Sequence, residues 1–172
     1  MIFIVVSTGH FDPLIAACSR LSADYEFVGQ IGSSQVEPPF SHFKTASPSQ
    51  LESYMARAEL VITHAGTGML SMLYGLKKKC VVVPKQIRYG EANDGQVELA
   101  QKWQELGIGV LCMDVENLRT AIEKCRRLDP VFPVFPSLGR SLRKSLAPHL
   151  PQGRESEPGG SLLEGAIPSQ QV

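Results

Sequence analysis

Six short apolar runs, each followed by a polar turn, constrain this chain more than any other feature. They are Ile2 to Ser7, Tyr25 to Ile31, a short stretch near Phe43, Leu60 to Thr63, Cys80 to Val83 and Ile108 to Cys112. Ile2 to Val6 is continuous and rich in β-branched residues, the pattern of a strand buried on both faces. Helical periodicity fills most of the intervals. Asp12-Pro13 opens a predicted helix to about Leu21, with Asp12 as N-cap and Pro13 at the first helical position. Ser47-Pro48 opens another to about Ala58, and a third runs from Gly68 to about Leu76. Asn93 or Asp94 caps a fourth to about Leu106, and Asp114 a fifth to about Leu128. Strands joined by helices of this length imply right-handed crossovers and a parallel sheet covered on both faces. The predicted class is α/β, a Rossmann-like fold.

Three domain segments are expected. Residues 1–128 form the sheet domain, and 129–150 form an irregular extension with a short basic helix at Ser141 to Leu146. Residues 151–172 form a tail too rich in Gly, Pro, Ser, Gln and Glu to fold. Lys plus Arg equals Asp plus Glu at 17 each, so no overall basic surface exists for nucleic acid. Apolar runs fall short of a membrane span, and the apolar start reads as a buried strand rather than a signal peptide. Cys18, Cys80, Cys112 and Cys125 are scattered without a CxxC pair. They read as small buried residues of a reducing, cytoplasmic compartment, with no metal site.

Ligands on such sheets bind beyond the carboxyl ends of the strands, so the loops there carry the chemistry. In Val61-Ile62-Thr63-His64-Ala65-Gly66-Thr67-Gly68 a strand stops, two glycines allow a tight path, and a helix begins. Backbone N–H groups at that helix start suit a diphosphate, with the Thr67 hydroxyl as a further donor and His64 in reach. A structural turn with a loop-capping histidine fits the same residues. GTGMLS only half-matches the dinucleotide fingerprint: Ser71 replaces the third glycine and no acidic residue closes the next strand. In the Pro84 to Gln96 loop, Lys85 and Arg88 suit a diphosphate or a carboxylated sugar. Asn93, Asp94 and Gln96 suit sugar hydroxyls, although an ordinary solvated loop has the same composition. Ser7-Thr8-Gly9-His10-Phe11-Asp12 places a glycine turn and a histidine, a general base or an exposed side chain, after the first strand. Lys77-Lys78-Lys79 favours a helix C-terminus and solvent, with anionic lipid as the other reading.

Taken together, MIFIVVSTGHFDPL, VITHAGTG and PKQIRYGEANDGQVELA resemble the glycosyltransferase family 28 C-terminal domain. The likeness spans roughly residues 1 to 127. It extends to the small PssE-type subunits of bacterial exopolysaccharide glycosyltransferases. It also extends to the catalytic subunit of the eukaryotic enzyme that adds the second N-acetylglucosamine to a dolichol-diphosphate sugar. The resemblance implies half of a GT-B fold binding a UDP-sugar through Thr8, Gly9, His64, Ala65, Gly66, Thr67, Gly68, Arg88, Asp94 and Gln96. His10 is the in-chain candidate for catalytic base. No cofactor is implied beyond the UDP-sugar donor. The implied partner is a membrane-anchored subunit that supplies the site for a lipid-linked acceptor and recruits this cytoplasmic chain to the cytosolic face.

Three positions depart from the family pattern. Pro13 replaces a basic residue, Gly95 a histidine, and Met72 the carboxylate that in relatives holds the ribose hydroxyls. A degenerate scaffolding subunit, or a UDP-sugar epimerase or hydrolase of related fold, are the rival readings.

Overall fold

Ile2-Phe3-Ile4-Val5 is buried at every position because it forms the middle of a sheet packed on both sides. The structure, a computed structural model, describes residues 1–91 and 94–134. In chain order the elements are β1 (Ile2–Val5), α1 (Asp12–Arg20), β2 (Phe27–Gln30), β3 (Ser41–Phe43), α2 (Pro48–Arg57), β4 (Val61–Thr63), α3 (Thr67–Gly75), β5 (Cys80–Val82), α4 (Gly95–Glu105), β6 (Gly109–Leu111) and α5 (Leu118–Arg127). The strands order β3-β2-β1-β4-β5-β6 and every pairing is parallel. The α/β class expected from the sequence is the class that forms. β2 and β3 are joined by a loop without a helix, and β3 stays partly exposed at the sheet edge.

Side chains alternate across a strand, so β1 feeds two cores. Ile2, Ile4 and Val6 meet α1 and α5 through Leu14, Ile15, Cys18, Leu118, Ile122 and Cys125. Phe3 and Val5 meet α2, α3 and α4 through Met55, Leu70, Leu73, Ala100 and Trp103. Tyr54 stacks on Phe3 with ring centroids 5.2 Å apart. Trp103 lies against Gly109, where a Cβ would fall 2.6 Å from its Cδ1.

Ser47 caps α2 as expected and does so reciprocally. Its Oγ accepts from the Gln50 amide at 3.3 Å, and the Gln50 side chain accepts from the Ser47 amide at 2.9 Å. The acidic caps differ. Phe11, not Asp12, holds the N-cap position of α1, and the Asp12 carboxylate accepts from the Gln35 amide at 2.9 Å. The Phe11 amide donates to Ser34 Oγ at 3.0 Å, which gives one orphan N–H at the helix start a partner. Asp114 caps a 3-10 turn, Val115–Asn117, that precedes α5.

The lysine run serves two other helices. Lys78 Nζ donates to the Ala56 and Ala58 carbonyls at 3.0 and 2.8 Å, at the end of α2. Lys79 Nζ donates to the Arg126 and Leu128 carbonyls at 2.7 and 3.2 Å, at the end of α5. Both ammonium groups thus satisfy orphan carbonyls at negative helix ends. This use leaves no support for the lipid reading at these two residues.

Met1–Pro133 forms one compact unit. Past α5, Phe132 packs on the second core and the Tyr74 hydroxyl donates to the Pro133 carbonyl. The short helix expected at Ser141 to Leu146 and the tail from Pro151 lie outside the described residues. No helix among the described residues is long and apolar enough to cross a membrane.

Candidate functional site

β1 and β4 are neighbours in the sheet, yet the chain leaves them toward opposite flanks. That makes the point beyond Val5 and Thr63 the topological switch, where open parallel sheets bind ligands. The loops after β1, β4 and β5 converge there.

The first loop is held by its neighbour on β2. Ser7 turns with φ 63°, a left-handed conformation that costs a non-glycine residue roughly 1–3 kcal/mol. Its carbonyl accepts from Gln30 Nε2 at 2.6 Å, and the Gly9 carbonyl accepts from the Ser33 amide at 3.0 Å. Gly32, at φ +58°, lets the two loops touch: a Cβ there would lie 2.0 Å from the Gly9 carbonyl oxygen. Thr8 and His10 are exposed on the loop.

In the second loop Thr63 is buried, and its hydroxyl donates to the Val5 carbonyl at 3.0 Å. His64 is 9 % exposed and Ala65 is buried. Gly66 is the N-cap of α3, and no side chain caps that helix. Its backbone angles suit any residue, but space does not: a Cβ would sit 2.5 Å from His64 Nε2. The imidazole therefore packs directly against Gly66 at the entry to α3. Thr67 and Gly68 face solvent, and nothing lies within 4 Å of a Cβ placed on Gly68. The first turn of α3 is thus open, with its dipole directed outward.

Burial, reinforced by the Lys85 ammonium, pushes the His64 imidazole down to about 4; the Val5 carbonyl and the Glu91 carboxylate oppose the shift weakly. His64 is therefore neutral at physiological pH, not a cation. Its Nδ1 is buried without a hydrogen-bond partner. An unfolded histidine binds its proton near pH 6.5, the buried one only near 4. Stability is complete above pH 6.5 and falls as pH drops toward 4, by about 3 kcal/mol from this residue. Urea titrations of His64→Gln against the parent between pH 4 and 7 should show the parent losing more stability on acidification. Parallel curves would refute the shift.

The third loop is tied to the second by Gln96. Its Oε1 accepts from the Ala65 amide at 3.1 Å and the Lys85 amide at 3.2 Å. Asp94 holds the N-cap position of α4, but its carboxylate accepts from the Ile87 amide at 2.9 Å, across the loop. Both residues proposed to orient a sugar thus spend these acceptors on the backbone that shapes the site. Arg88 points elsewhere. It donates to the Met113 carbonyl, pairs with Asp114 at 3.3 Å and lies over the Tyr89 ring, toward the loop after β6. The structure therefore gathers Gly9, His64 to Gly68 and Gln96, but draws Arg88 away.

The sequence presents Lys85 only as one of two loop cations, and it is the one that enters the crevice. Its side chain is 10 % exposed and pairs with Glu91 at 3.1 Å. A Cβ on Gly9 would lie 3.3 Å from its Nζ. Its place directly after the Val83-Pro84 strand end was the available signal. Gly32 and Gln30 carry no local signal, since their partners come from a different loop.

Among the described residues, no three His, Cys, Asp or Glu side chains are grouped to hold a metal. All four cysteines are buried, free and raised by burial, Cys112 to about 11 and Cys80 and Cys125 to about 12. They are poor nucleophiles. A shallow hollow of about 460 Å³ runs along α4, lined by Gly95, Glu98, Leu99, Gln101, Lys102 and Glu105. Nothing from the loops after β1 or β4 lines it. The switch point, with its open helix start and buried ammonium, is the chemically equipped place.

The glycosyltransferase family 28 C-terminal domain model matches residues 2–130. The crystal structure of the glycotransferase of kitacinnamycin is 24% identical with a TM-score of 0.55, over 86% of this chain and 39% of that one. This chain spans about two fifths of the length of that protein. The NMR solution structure of ALG13 is 16% identical with a TM-score of 0.52, over 84% of this chain and 93% of that one. At these identities both likenesses are of fold. No curated protein sequence matches the chain.

Proposed function

The chain belongs to the glycosyltransferase family 28 C-terminal domain family, and on that premise we propose that it is the donor-binding half of a two-subunit GT-B glycosyltransferase. It would transfer a hexose or hexuronic acid from a UDP-sugar to a lipid-diphosphate-linked sugar in polysaccharide synthesis. A membrane-anchored partner would supply the acceptor site and bring this subunit to the cytosolic membrane face. The observation that carries the proposal is the uncapped, solvent-facing start of α3 at the switch point, beneath a neutral, buried His64.

In the reaction an acceptor hydroxyl attacks the anomeric carbon, and the bond from that carbon to the diphosphate oxygen breaks. UDP leaves with the bonding pair. The Gly66 to Gly68 backbone stabilises the charge that develops on the diphosphate, since preformed N–H dipoles need no reorganisation. Gln96 contributes by fixing the Ala65 amide, so the turn keeps its shape. The acceptor's proton goes to a base. His10 is the in-chain candidate, exposed on the first loop where a partner would approach. The partner itself is the other source.

The test is co-expression with a membrane-anchored acceptor subunit and assay of the membranes with a panel of UDP-sugars. Transfer should require both chains and one preferred donor. Turnover of soluble UDP-sugar by the lone chain would favour the epimerase or hydrolase reading instead. One observation favours a non-catalytic scaffold: Met72, where the family resemblance implies a carboxylate, is packed against the second core. Partner binding without any UDP binding would decide for it.

A further inference from the structure

The Lys85–Glu91 pair is unequal. The lysine side chain is 10 % exposed, whereas the glutamate side chain is 34 % exposed. A buried ammonium needs a counter-charge, because removing it from water without one is expensive. A half-exposed carboxylate can turn to water at little cost. An incoming anion can therefore replace Glu91, but Lys85 cannot leave.

Lys85 also stands where such an anion would arrive. Its amide and that of Ala65 share the Gln96 acceptor, which places it beside the turn into α3. Its Nζ comes close to Gly9 on the first loop, where any side chain would crowd it. The Phe11 ring, 5.8 Å from the ammonium, forms an apolar, weakly cation-binding wall. Among the described residues Glu91 is its one ion-pair partner.

We propose that Glu91 is an internal stand-in for the donor's phosphate: on binding, the β-phosphate of a nucleoside diphosphate takes the Lys85 ammonium and Glu91 swings into solvent. This deepens the UDP-sugar reading and rests on it. No covalent bond changes. Lys85 serves as a binding residue, and Glu91 tunes affinity by competing with the ligand for one cation. The two ends of a single ion pair then have opposite effects. Losing Lys85 removes a charge-assisted bond to phosphate. Losing the Glu91 charge removes the competitor and its repulsion of the anion.

The experiment is calorimetric titration of the full chain with UMP, UDP, UDP-glucose and UDP-glucuronate, for the parent, Lys85→Met and Glu91→Gln. Lys85→Met should weaken UDP and both UDP-sugars at least about tenfold while changing UMP by less than about threefold. Glu91→Gln should tighten UDP about threefold and steepen its salt dependence, with a smaller change for UMP. If both variants shift UDP in the same direction, or neither shifts it, the pair is only structural and the proposal fails. A loss confined to UDP-glucuronate would assign Lys85 to a sugar carboxylate and also overturn it. Should Lys85→Met fail to fold, Glu91→Gln decides alone, with unchanged or weaker UDP binding as the refuting result. A parent chain that ignores UDP removes the donor-binding reading as well, which separates the two failures.

Discussion

Replacing Gly32 with alanine should destabilise the fold by about 4 kcal/mol or more, among the larger effects available to one methyl group. Two physical terms combine. The residue holds φ +58°, which an L side chain rarely adopts. The added Cβ would also lie 2.0 Å from the Gly9 carbonyl oxygen and 2.5 Å from that of Ser7. Neither oxygen is the end of a flexible side chain. Relief would require separating the loops after β1 and β2, breaking the bonds from Ser33 to Gly9 and from Gln30 to Ser7. Urea unfolding of Gly32→Ala measures the loss directly. A change below about 1 kcal/mol would show that the loops are not locked together as described.

Gly66→Ala should act on ligand binding more than on stability. The backbone there, φ −80° and ψ 129°, accepts alanine without strain. The Cβ meets only the His64 imidazole, at 2.5 Å from Nε2 and 3.1 Å from Cε1. That ring is buried against the strand end and cannot swing freely outward, so the ring and the start of α3 must part. A displacement of roughly 1 Å in a positioning element is worth about 100-fold in rate, and that loss is expected in transfer. Gly68→Ala is the informative contrast. Nothing crowds its Cβ, and alanine in a helix is favoured over glycine by roughly 0.5–1 kcal/mol. It should melt no lower than the parent while weakening UDP, because the methyl group intrudes on the open face of α3. Full transfer activity in Gly66→Ala would contradict the role given to the His64 turn.

The sheet was legible because its signals are local. A run such as Ile2-Phe3-Ile4-Val5 announces a doubly buried strand, and Ser47-Pro48 with Gln50 announces a capped helix. The ligand-side loops could be placed for the same reason, since they follow the carboxyl ends of the strands; the strand order that makes one of them a switch point comes only from the fold. What the sequence did not reveal is tertiary pairing. Asp12 before Pro13 has the form of an N-cap, yet its carboxylate goes to the Gln35 amide and the helix starts one residue earlier, with Phe11 at the N-cap position. Asp94 and Gln96 have the composition of sugar ligands, yet their oxygens hold Ile87, Ala65 and Lys85. Arg88 and Lys85 sit three positions apart in one loop, and only the fold decides which one faces the crevice. Lys78 and Lys79 look like a charged patch until the carbonyls at the ends of α2 and α5 are seen beneath them.

The amide spectrum of the isotopically labelled full chain, recorded as UDP is added, reads the N–H groups on which the donor site depends. Saturable shifts should concentrate at Gly66, Thr67 and Gly68, with Gly9 following, while the amides along α4 stay fixed. Shifts confined to Glu98 through Glu105, or none at any UDP concentration with the acceptor subunit also present, would contradict a diphosphate held at the start of α3.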